Sequence, residues 1–68
     1  MSGGAEDRMD HAYAEAGRAH HRLQGVVGQY RRERATPESM RAAIAVVIGY
    51  LALMDAAVAD LDHPAVEA

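Results

Sequence analysis

The chain has no cysteine, no tryptophan, no phenylalanine and no lysine, and only two of its 68 residues are proline. Without cysteine, disulfides and thiolate metal sites are excluded. Without lysine, all seven basic residues are arginine, which together with abundant alanine, glycine and valine points to a GC-rich bacterial genome. The formal charge of −3 lacks the basic excess of a general nucleic-acid binder, so RNA or DNA is disfavoured as a partner. The opening "MSGGAEDRMD" does not run from basic to apolar as a secretory signal does, and the expected location is cytoplasmic.

Sixty-eight residues make at most one small domain, and domains of this size bury little apolar surface. Such chains usually lean on a disulfide, a metal or a second subunit. With cysteine absent, association or a metal held by nitrogen and oxygen ligands is left.

The two prolines mark the ends of one helix. In "RATPES", Thr36 is suited to an N-cap and Pro37 to the first helical position, while "DHP" closes the segment at His63 and Pro64. Upstream, "QYRRER" sets Arg31, Arg32 and Arg34 against the negative end of a preceding helix dipole. The pattern predicts an all-α fold: tail 1–4, helix 1 over about 5–34, helix 2 over about 37–62, tail 63–68. So short a connection predicts an antiparallel hairpin.

Both helices carry apolar residues at alternating steps of four and three, the spacing of coiled-coil packing. In helix 2 the expected seam is Met40, Ile44, Val47, Leu51, Met54, Val58 and Leu61. In helix 1 it is Met9, Tyr13, Ala16, His20, Leu23, Val27 and Tyr30, widened by Ala12, Ala19 and Val26. Helix 1 is polar away from its seam. Helix 2 is not. Ala42, Ala45, Val46, Gly49, Ala52, Leu53, Ala56 and Ala59 line its far side. A helix apolar all round belongs in a core or in lipid, so these eight are the expected oligomer interface, joining two hairpins as a homodimeric four-helix bundle. Larger rings or stacks remain open. Around the turn four arginines face Glu33 and Glu38, a balance of +2, while Arg8, Arg18 and Arg22 face the other eight carboxylates, a balance of −5. That polarity favours antiparallel association.

The run "AAIAVVIGYLALMDAAVADLD" also invites a membrane reading. Residues 42–54 are uncharged, short of the roughly 20 needed to span hydrocarbon, and extension meets Asp55. A membrane is therefore disfavoured as a partner.

Asp55 is the one charged residue between Ala42 and Ala59, and with His20 and Arg18 both in reach, His20 is the expected partner in a buried polar pair that fixes register. The functional alternative is a small pocket in which Asp55 and His20, with Tyr13 or Tyr50, bind a ligand or do chemistry. Asp7, His11 and Glu15 share a face at steps of four, but convergent ligands for zinc and the Glu-x-x-His pairs of di-iron bundles are missing. No metal or other cofactor is assigned. Gly17, His21, Gly25 and Gly28 form a bare strip on helix 1 that another helix could approach, and Arg31, Arg32, Arg34 and Arg41 could contact an anion. No nucleophile–base pair or phosphate loop is present, and no catalytic residue is assigned.

The reading that follows is a non-enzymatic protein–protein interaction module, a small adaptor or regulator that pairs with itself through helix 2 and with another protein through helix 1 or the arginine tip. The alternatives are a ligand-binding or catalytic bundle near Asp55 and His20, and an accessory subunit of a larger assembly.

Overall fold

In a computed structural model describing residues 4–62, two α-helices, α1 (Gly4–Arg31) and α2 (Pro37–Asp62), pack against each other as a hairpin. Gly4, expected in the tail, is the first residue of α1, whose first turn carries Glu6 and Asp7 at the positive end of the dipole. Residues 1–3 and 63–68, including the His63–Pro64 stop, lie outside the described residues.

The turn is built from named hydrogen bonds. Glu33 adopts a left-handed backbone with φ 62°. Its N–H donates to the Tyr30 carbonyl at 2.9 Å, and the Arg34 N–H donates to the Gln29 carbonyl at 2.8 Å. This crossed pair satisfies the last carbonyls of α1 and turns the chain away from the axis. It explains why α1 ends at Arg31, three residues before the expected 34. The next helix begins as the sequence predicts. The Ser39 N–H donates to Thr36 Oγ1 at 3.1 Å, and the Met40 N–H makes the first helical bond to the Thr36 carbonyl at 3.2 Å.

The seam between the helices differs from the expected one. Among the described residues its buried core is four alanines: Ala12, Ala16 and Ala19 from α1 and Ala57 from α2. Met9, Leu23 and Val26 flank them on α1, and Met40, Ala43, Val47, Tyr50 and Met54 continue the stripe on α2, all partly covered. On α2 the line Met40–Val47–Met54 is therefore as expected, but its companion is Ala43–Tyr50–Ala57 and not Ile44–Leu51–Val58. Ile44, Leu51, Val58 and Leu61 are exposed, as are Tyr13, His20 and Tyr30 of the stripe expected on α1. The physical reason lies in side-chain size. The small side chains of Ala12, Ala16, Ala19 and Ala57 leave room for Met54, Tyr50 and Val47 between the helices, and the neighbouring Ile44–Leu51–Val58 line is turned outward.

The result is a rod, with Cα extents of 54 × 15 × 11 Å. Its radius of gyration is 15.7 Å, against about 11 Å for a compact domain of this length. One layer of two helices has a seam and no enclosed interior.

Candidate interaction surface

An ion pair identifies which flanks share a side of the hairpin. Arg8 Nη2 donates to Asp60 Oδ2 at 2.9 Å, linking the start of α1 to the end of α2. Arg8, Glu15 and Arg22 recur every seven residues along that flank of α1, and Val46, Leu53 and Asp60 do the same on α2. This is the charged side. Arg18 Nη2 also donates to Glu15 Oε2 there, at 2.8 Å. That hydrogen bond holds the Glu15 carboxyl below its ordinary range; desolvation, next in size, opposes it, and the charges of Arg18, His11 and Arg22 add smaller lowering effects. The same contact raises Arg18. A shallow depression of ≈ 330 Å³ runs between the helices here, lined by Asp7, Arg8, His11, Ala12, Leu53 and Ala56.

The opposite side is aliphatic. By the same seven-residue lines it presents Tyr13, His20 and Val27 of α1 beside Ile44, Leu51 and Val58 of α2, with Ile48 and Asp55 one step further round. Ile48 is 59% exposed and Leu51 49%. All eight residues expected at the oligomer interface, from Ala42 to Ala59, are also exposed. A depression of ≈ 310 Å³ over Gly49 is walled by Val46, Tyr50 and Leu53. The hairpin thus leaves bare both the small-residue back of α2 and a row of large aliphatic side chains that periodicity alone had assigned to the seam. The signal for this was the flank Ala43–Tyr50–Ala57, which recurs every seven residues just as the expected line does.

Asp55 and His20 do not form the expected buried pair. Both are exposed, and no ion pair or hydrogen bond joins them among the described residues. Once Ala43, Tyr50 and Ala57 take the seam, Asp55 is rotated well away from α1. The pockets described above do not include either residue, and Tyr13 is 66% exposed.

On α1, Gly17, His21 and Gly25 are exposed and Gly28 partly covered, and a side chain added at any of the three glycines would meet nothing within 4 Å. A depression of ≈ 470 Å³ lies over Gly17, Arg18, His21 and Arg22. Arg31, Arg32, Arg34 and Arg41 are exposed around the tip. No group of three or more His, Asp or Glu side chains is placed to hold a metal ion among the described residues.

Within Pro37–Leu61 an 18-residue window is long and apolar enough to cross a membrane by length and composition, with mean hydropathy 2.1, and 6% of that window is buried in the hairpin. Compared with protein-family models, with curated proteins and with solved structures, the chain shows no match.

Proposed function

We propose that the chain is a non-enzymatic interaction module whose hairpin is half of a helical bundle, completed by a second copy against α2. The observation that carries this is the mismatch between α2 and its cover. The helix is apolar around its circumference, yet α1 hides one alanine-lined stripe and leaves Ile48 and Leu53 at 59% and 60% exposure. Leaving such side chains in water forgoes roughly 1 kcal/mol or more each, and a protein surface does not usually carry a row of them unpartnered. With four buried alanines as its core, the isolated hairpin also has little to set against the entropy of ordering its chain. Association supplies both needs at once. The glycine strip of α1, with Arg32 and Arg34 at the tip, is then the surface left for a different protein, the adaptor part of the reading.

The test is mass. In detergent-free buffer the purified chain should sediment at twice its 7.3 kDa or a higher multiple, and helicity should fall on dilution. A monomer that keeps its helicity and melts cooperatively at high dilution would overturn the proposal.

A second reading rests on the 18-residue apolar window within Pro37–Leu61 of α2. In it α2 enters a bilayer, with the arginines before Pro37 on the cytoplasmic side and α1 on the membrane surface. Asp55 opposes this, because a carboxylate inside the hydrocarbon costs about 2.5–3.5 kcal/mol on the insertion scale. Fractionation of the expressing cell separates the two: the first reading puts the chain in the soluble fraction, the second in the membrane pellet.

A further inference from the structure

Equal steps inward along the two helices from the Arg8–Asp60 pair bring His20 level with Ile48. Around that level the charges on the aliphatic side are arranged in a definite order. Arg41, Ile48 and Asp55 follow one another at seven-residue intervals and so stand on one line of α2. On the matching edge of α1, Arg31 lies on the tip side of His20 and Asp10 about as far toward the open end. The face is therefore a rectangle, aliphatic on its α2 half and carrying Tyr13, His20 and Val27 on its α1 half, with arginines at its two tip-side corners and aspartates at its two open-side corners. All four charged residues are exposed, and none makes an ion pair among the described residues.

A patch with this order is complementary to itself when turned over. We propose that it docks a second copy of the chain antiparallel, about a two-fold axis at the level of Ile48 and His20. The inference rests on the self-association read above and specifies which side of α2 is used and in what register. Ile48 then meets Ile48 of the second copy at the axis, and Ile44 of each chain packs on Leu51 of the other. Arg41 faces Asp55 of the second copy, and Arg31 faces Asp10 of the second copy. Each contact occurs twice, as an isologous interface requires. Parallel docking would set arginine on arginine. The opposite side of the hairpin lacks this free complement, because Arg8 and Asp60, and Arg18 and Glu15, already pair within the chain. An apolar centre bounded by paired charges is the usual anatomy of a specific interface. Asp55, the one charged residue between Ala42 and Ala59, gains in this arrangement the partner that the hairpin withholds.

The experiment is a charge swap on the full chain, read by sedimentation equilibrium, with circular dichroism confirming that each variant is helical. Arg41→Asp and Asp55→Arg should each weaken dimerisation by about tenfold or more, since each sets like charges together twice. The double variant carrying both changes should recover dimerisation, and mixing the two single variants should give heterodimers in preference to either homodimer. Ile48→Asp should leave a monomer. If the chain dimerises but ignores these swaps, and Leu53→Glu breaks the dimer instead, the register proposed here is wrong while self-association stands. If the wild-type chain is monomeric at every concentration, or needs detergent to stay in solution, both fall.

Discussion

Arg8 and Asp60, fifty-two residues apart in sequence, meet at 2.9 Å and mark the register in which α1 lies along α2. The pair sits at the open end of the hairpin, where no loop holds the helices together. Both side chains are more than half exposed, 57% and 58%. A pair this exposed contributes little net stabilisation, so it reports the alignment of the two helices more than it enforces it.

Arg8→Ala should therefore lower stability by less than about 1 kcal/mol at low salt. The difference from wild type should shrink further as added salt screens the pair. Thermal melts at low and high ionic strength check this. A loss of several kcal/mol would mean that Arg8 does something in the assembly that the hairpin does not display.

The tip holds a second, better-defined gain. Glu33 sits at φ 62°, a region that costs a residue with a Cβ roughly 1–2 kcal/mol and glycine almost nothing. Its side chain takes part in neither of the ion pairs, so replacing it removes no such contact. Glu33→Gly should raise stability by about 1 kcal/mol, while Glu33→Val, which is β-branched, should lower it. Chemical denaturation of both variants against wild type, at one fixed protein concentration, gives the sign directly.

The hairpin could be read from Thr36, Pro37 and the short connection, because capping and proline geometry are local and act through residues adjacent in sequence. The choice of seam could not. Ile44–Leu51–Val58 and Ala43–Tyr50–Ala57 have the same period and differ by one residue. Periodicity identifies a stripe of this kind but does not rank two adjacent ones. Hydrophobicity ranked the larger side chains first. The packed structure takes the line that carries Ala43 and Ala57, with Ala57 fully covered near the level of Ala12, and turns the Ile44–Leu51–Val58 line outward. The same slip displaced Asp55 and His20, whose expected pairing depended on a seam through position 51. The early stop of α1 was also hidden, because a glutamate in the left-handed region at position 33 carries none of the usual glycine signal.

If the alanine seam is as tight as its burial implies, Ala57 is the position least able to accept a larger side chain. It is fully covered, at 0% exposure. Ala57→Leu should cost about 1–3 kcal/mol by forcing the helices apart. Ile48→Ser, at 59% exposure, should leave the fold of the single hairpin unchanged and reduce only the concentration dependence of melting. Paired melts of the two variants across a hundredfold range of concentration distinguish a seam defect from an interface defect. Equal behaviour of the two variants would contradict the assignment of inner and outer stripes.

Gly49 tests whether the small-residue back of α2 is occupied. In the hairpin a side chain added there would meet nothing within 4 Å, and glycine inside a helix is worse than alanine by roughly 0.5–1 kcal/mol. For an isolated hairpin, Gly49→Ala must then stabilise by about that amount. Docking on the aliphatic side gives the same expectation, because that interface is centred on Ile48 and leaves the back of α2 in solvent. A third element seated over Gly49, whether another chain or a further hairpin in a larger stack, reverses the sign, since the added methyl would intrude on a close helix contact. Melting temperature at the lowest and highest workable concentrations decides the matter. Stabilisation at both means the back of α2 is free. Stabilisation when dilute that turns to destabilisation when concentrated locates a neighbour on this face and extends the assembly beyond two copies.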